Sequence, residues 1–140
     1  MTVTCPCYRA ENRAWAASAV FREVVADPQA FVTYVTEREP FVSLRRKAKL
    51  PEVFVTVSAG GHDKRSPSCA HLEEQHIDIS RGAQPTQGLL LHEIAHLCSP
   101  NDAHHDHRYC ANYLTLVRTW LGSLAAEILL LELRRERAFP

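Results

Sequence analysis

Apolar residues recur along this chain at two periods, one near 3.6 and one near 2, and these mark out helices and strands. Between residues 7 and 26, Trp15, Ala19, Val20 and Val24 fall at helical spacing and predict one amphipathic helix. Asp27 before Pro28 reads as an N-cap with proline at the first helical position. It opens a second helix carrying Phe31, Tyr34 and Val35, which Pro40 closes. Val53-Phe54-Val55-Thr56-Val57 is rich in β-branched residues and reads as a strand. Ser58-Ala59-Gly60-Gly61 ends it as a turn, and residues 62 to 68 form a loop.

Two short strands follow, Cys69 to Leu72 and His76 to Ser80, around Glu73-Glu74-Gln75. In the second, Ile77 and Ile79 alternate with His76 and Asp78, as on a half-buried strand. Thr86 is a plausible N-cap for a helix that stops at Ser99-Pro100. After a loop at Asn101 to His104, Asp106 caps a helical region running to about Arg137. Gly122-Ser123 interrupts that region, with Ser123 as a fresh N-cap. Tyr109, Tyr113, Leu116 and Trp120 form a stripe that reads as core. Leu124 to Leu133 is apolar on several faces, so it is buried or meets another subunit. The order implies one α+β domain over residues 1–140: N-terminal helices, a small mostly antiparallel sheet, a helix beneath it, and C-terminal helices.

The helix from Thr86 contains the feature that bears on function. Within Leu89-Leu90-Leu91-His92-Glu93-Ile94-Ala95-His96-Leu97-Cys98, the strongly polar side chains are His92, Glu93 and His96. Buried without partners they would be costly. On a helix, His92 and His96 stand one turn apart on one face, where two imidazoles can bind one Zn²⁺ with Glu93 as general base. Catalytic zinc usually takes three protein ligands and leaves one position for water. His104, His105 and His107 all follow within reach, since each intervening residue spans up to ~3.3 Å. His105-Asp106-x-x-Tyr109 sets His105 just before a helix start, where Asp106 either caps the helix or orients a ligand imidazole. His105 is therefore preferred over His104 and His107. His62, His71 and His76 read as surface or strand-face residues, and Glu127 and Glu132 rank lower as carboxylate ligands.

Composition narrows the class. The chain has 140 residues, 46% hydrophobic and 23% charged, which suits one soluble globular domain. Sixteen basic and sixteen acidic residues cancel, which argues against nucleic acid or an anionic membrane as the main partner. Arg45-Arg46-Lys47-Ala48-Lys49 reads as a solvated face. The apolar run Ile128-Leu129-Leu130-Leu131 falls far short of a membrane span, and residues 1 to 5 carry no signal pattern. A cytoplasmic protein is expected, and its five cysteines then read as thiols or ligands. Cys5-Pro6-Cys7 is too tight for an easy disulfide and is weak evidence for a second, structural zinc.

The motif region resembles the minimal zincin metallopeptidases, of which SprT-like proteases are an example: His-Glu-x-x-His followed by His-(Gly/Asp)-x-x-(Phe/Tyr). A closer resemblance is to a family of short actinobacterial metallohydrolases. Its Tyr-x-Ala-Glu segment is matched by Tyr8-Arg9-Ala10-Glu11, and its Leu-Val-Arg segment leading to Leu-Gly by Leu116-Val117-Arg118 and Leu121-Gly122. The likeness spans most of the chain but is specific only around the motif, where Asp106 and Tyr109 replace the more usual Gly and Phe. It implies a zincin-like fold, Zn²⁺ on His92, His96 and His105, and Glu93 as the catalytic base.

The expected chemistry is hydrolysis of a peptide or protein substrate by a zinc-activated water. Tyr109, Tyr113 and His107 are candidates to hold the oxyanion. Two alternatives stand beside it. One is a non-catalytic zinc module closed by a fourth ligand such as Cys98 or Cys110; the other is a repressor-cleaving peptidase with a carboxylate third ligand.

Overall fold

The computed structural model describes residues 5–60, 68–100 and 104–140. Among them are six α-helices and a three-stranded sheet: α1 (Pro6–Ala17), α2 (Pro28–Thr36), α3 (Phe41–Lys47), β1 (Thr56–Ala59), β2 (Cys69–His71), β3 (His76–Ile79), α4 (Gln87–Leu97), α5 (His107–Leu121) and α6 (Ser123–Arg135). The class is α+β. The sheet order is β1-β3-β2, with β1 parallel and β2 antiparallel to β3. The sheet is therefore mixed rather than mostly antiparallel. Residues 61–67, the expected loop at 62–68 and His62 among them, lie largely outside the described residues, as do 101–103 of the loop before Asp106.

Capping signals transferred well from sequence to structure. Asp27 accepts a hydrogen bond from the Ala30 amide, Thr86 from Leu89, and Asp106 from Tyr109. Each satisfies an amide that the first helical turn leaves without a partner. Ser123 does not cap. Gly122 takes that position at φ +102°, a backbone region that favours glycine, and Ser123 becomes the first residue of α6.

The N-terminal helix differs more. It ends at Ala17, Ser18 is extended, and a short 3₁₀ turn over Ala19–Arg22 follows. Its buried face is Cys7, Ala10, Glu11 and Ala14, not the stripe from Trp15 to Val24, and Val24 is exposed. Both stripes are compatible with a helical period; tertiary packing chose the one with small residues, against which α6 can approach closely. β1 starts at Thr56, because Val53 and Phe54 are exposed and lie outside the ladder. Pro40 does close α2, but α3 begins at once, and Arg45 there bonds the Val53 carbonyl and Gln75 Oε1.

The core is continuous. Ile77 and Ile79 of β3 join Leu90, Leu91 and Ile94 of α4, Tyr109, Tyr113 and Leu116 of α5, and Leu129 and Leu133 of α6. Trp120, the end of the aromatic stripe, is only partly buried. α6 buries one face on α1 and α5 and leaves Leu124 and Leu131 exposed. At Gly88 a Cβ would lie 2.8 Å from Trp15 Cε2 and 3.0 Å from the Phe21 carbonyl, so glycine sets how closely α4 approaches the N-terminal segment. Among the described residues no helix is long and apolar enough to cross a membrane.

Candidate metal centre

α4 holds His92 and His96 one turn apart. The Asp106 cap fixes where α5 begins, and that places the preceding His105 against α4. His105 Nε2 lies 3.1 Å from His92 Nε2 and 3.1 Å from His96 Nε2. A tetrahedral zinc with Zn–N bonds of 2.0–2.1 Å separates its ligand nitrogens by about 3.3 Å. The two separations from His105 are thus close to those such an ion imposes, and all three ligand atoms lie within 4.8 Å of one another.

The other candidates stand apart from it. His104 is exposed at φ +47°, and His107 is exposed with its ring against Phe139. His71 and His76 lie on strands. Glu127 pairs with Arg118 at 3.6 Å on the surface, and Glu132 lies 3.9 Å from Arg13. Cys98 donates to the Ala95 carbonyl and Cys110 to those of His105 and Ala138. Cys5 Sγ sits 3.6 Å from His105 Nδ1, the nitrogen turned away from the trio, and Cys7 is a buried thiol.

Two of the three rings, His96 and His105, are tuned toward neutral imidazole, the form that ligates metal. Burial, then the charges of His92 and His105, pulls the His96 pKa down to about 2. Burial and His92 pull His105 down to about 4. Burial acts on His92 in the same direction. There, however, the Glu11 carboxylate, through its charge and a hydrogen bond of 2.6 Å to Nδ1, and then Glu93 outweigh it and leave the pKa raised. With its Nδ1–H held by Glu11, a neutral His92 turns its Nε2 lone pair toward the other two rings. This is the carboxylate–imidazole pairing common behind metal-ligating histidines.

Glu11 holds the place that sequence offered to Asp106, which caps α5 and pairs with Arg108. A signal for it existed. Glu11 is the lone acid on the small apolar face Cys7-Ala10-Ala14, and a buried carboxylate needs a partner. The Trp15–Val24 stripe, which puts Glu11 on another face, competes with that signal.

Glu93 is 3% exposed, and its Oε1 lies 3.7 Å from His92 Nε2. Its buried Oε2 has no hydrogen-bond partner among the described residues. Burial, opposed by His92 and helped by Glu11, pushes its pKa up to about 7. A carboxyl poised there can take and return a proton near neutral pH. It opens onto a cleft of about 300 Å³ lined by Tyr8, Glu11, Trp15, Leu89 and His92. The Tyr8 ring lies 5.6 Å from His92 and 4.8 Å from His105, centroid to centroid. Burial and the nearby carboxylates push its phenol up to about 12, so it stays protonated as a donor.

Of the residues considered for the oxyanion, Tyr109 donates instead to the His92 carbonyl at 2.9 Å. Tyr113 Oη accepts from the Trp15 indole at 3.3 Å. Both are fully buried and support the His92 ring rather than line the cleft.

Three imidazole nitrogens, an orienting carboxylate and an orphaned carboxylate oxygen fit a divalent transition-metal ion that favours nitrogen. Calcium and magnesium favour oxygen ligands instead. No protein-family model, no curated protein and no solved structure matches this chain.

Proposed function

We propose that this chain is a zinc-dependent hydrolase of zincin type that cleaves peptide bonds. The observation that carries the reading is the convergence of the His92, His96 and His105 nitrogens beside the unsatisfied Glu93 oxygen, at the wall of a cleft. A closed structural zinc would need a fourth protein ligand, and among the described residues the group around these three holds none. β2 ends the sheet, and Ser68, just before it, lines the cleft; an extended peptide can pair along that edge as it enters. The resemblance to minimal zincins points to the same substrate.

Zinc, when bound, supplies the Lewis acidity that brings the pKa of water to about 7 and polarises a carbonyl. The remaining work belongs to the chain. Glu93 takes the proton from the attacking water and delivers it to the leaving amine. Glu11 keeps His92 in the productive tautomer and orientation. Tyr8 presents a protonated phenol at the cleft, where it can donate to the developing oxyanion.

The test compares wild type with Glu93→Gln, measuring zinc content and cleavage of an unfolded protein. The variant should keep its zinc while hydrolysis falls by roughly 10²–10⁴-fold. Undiminished cleavage in Glu93→Gln, or wild-type protein that takes up no zinc, ends the proposal.

A further inference from the structure

Strand alternation turns Ile77 and Ile79 into the core and sends their neighbours to the opposite face of the sheet. Two cross-strand rows result there. Ser58, Asp78 and Cys69 form one; Thr56, His76 and His71 form the other. Cys69 Sγ lies 3.5 Å from His71 Nε2, and Asp78 Oδ2 lies 3.7 Å from the same nitrogen. All three ligand atoms fall within 4.8 Å of one another. The carboxylate is held in place, since Ser58 Oγ donates to Asp78 Oδ1 at 2.9 Å. Ser58 also meets His76 Nε2 at 2.8 Å, and the His76 ring stacks 6.0 Å from His71.

From this geometry we infer a second metal site on the outer face of the sheet, formed by Cys69, His71 and Asp78 and suited to Zn²⁺ or a similar borderline dication. One thiolate, one imidazole and one carboxylate form a donor set that zinc accepts and that calcium and magnesium do not favour. With Zn–S near 2.3 Å and Zn–N near 2.05 Å, tetrahedral coordination sets S and N about 3.6 Å apart, close to the observed contact.

A cysteine nucleophile is the competing use of these residues, and the geometry disfavours it. A nucleophile, base and orienting acid would engage opposite ring nitrogens of the histidine. Here the thiol and the carboxylate both face Nε2, the layout of ligands around one point. The site is half exposed, so it should bind more weakly than the buried trio.

It shares no ligand with that trio, so the two can be tested separately. Metal-stripped protein is titrated with Co²⁺ while the absorption spectrum is recorded. Wild type should bind two equivalents, the weaker one bringing a near-ultraviolet thiolate-to-cobalt charge-transfer band. Cys69→Ser should lose the band and the weaker equivalent. Asp78→Asn should shift the half-saturation of the band roughly tenfold. His92→Ala should keep the band and lose the stronger equivalent; if it does not fold, His105→Ala serves the same purpose. No charge-transfer band in wild type, or a band that survives Cys69→Ser and therefore belongs to another thiol such as Cys5, overturns the inference. Loss of only the stronger equivalent bears on the hydrolase proposal and leaves this one intact.

Discussion

Two clusters of side chains that could hold a metal ion lie on this domain, and they are built in opposite ways. The trio of His92, His96 and His105 is made of like donors drawn from a helix and the chain just before another. It is set among Tyr109, Tyr113 and the Glu11 carboxylate. The group of Cys69, His71 and Asp78 mixes three donor types across two adjacent strands and sits on an outward face. Packing imposes the first arrangement, because each ring is held by buried neighbours. Sheet register imposes the second, where Ser58 bonds Asp78 and the His76 ring stacks on His71. A preorganised, desolvated site binds more tightly and tunes its groups more strongly than an exposed one.

The largest expected effect comes from removing a ligand of the buried trio. His96→Ala should remove the tighter zinc equivalent, measured by metal analysis, and abolish hydrolysis, while leaving the sheet site able to bind Co²⁺. If His96→Ala retained full zinc occupancy, the two clusters would not differ as described. Next comes Glu11→Gln, which removes the charge behind His92 and keeps the shape. Competition with a chelator should show zinc affinity reduced about 10- to 100-fold. An unchanged affinity would mean that Glu11 is only a buried partner and does not support ligation.

The pH dependence of the metal-free protein gives a smaller effect of defined sign. The folded-state pKa values of His105 and His96 are depressed to about 4 and about 2, below the reference of ~6.5. Their contribution is complete above pH ~6.5 and is lost as pH falls toward those values, because the unfolded chain then binds protons the folded one refuses. Glu93, raised to about 7, works the other way between its reference of ~4.3 and 7. Two imidazoles oppose one carboxyl, so urea midpoints should fall as pH drops from 6.5 to 4.5, and fall more steeply in Glu93→Gln. A flat profile would show that the three rings are not desolvated as a group. His92, raised instead, adds stability below pH ~6.5 that is lost as pH rises through its folded value.

The smallest effect belongs to the exposed cluster. Cys69→Ser should leave the urea midpoint of the metal-free protein nearly unchanged, since half-exposed polar substitutions usually stay within about 0.5 kcal/mol. A shift of several times that would make Cys69 part of the packing rather than of a surface site.

Residues close in sequence carried most of what could be read from it. The caps at Asp27, Thr86 and Asp106 depend on a side chain and an amide three positions later, and all three form. His92, Glu93 and His96 share one helix, so their relative placement follows from helical periodicity alone. The choice among His104, His105 and His107 was weaker, because it turned on the one-residue offset of a cap. Contacts between distant segments were beyond reach: Glu11 and His92 are 81 positions apart, and Tyr8 reaches the cleft from the same N-terminal helix. Which face α1 buries, that β1 runs parallel to β3, and that Cys69 meets Asp78 across a strand pair were all settled by how the elements pack. Local signals act through hydrogen bonds and spacing within a turn or two, whereas these arrangements depend on which apolar surfaces exclude water together, a property of the whole folded chain.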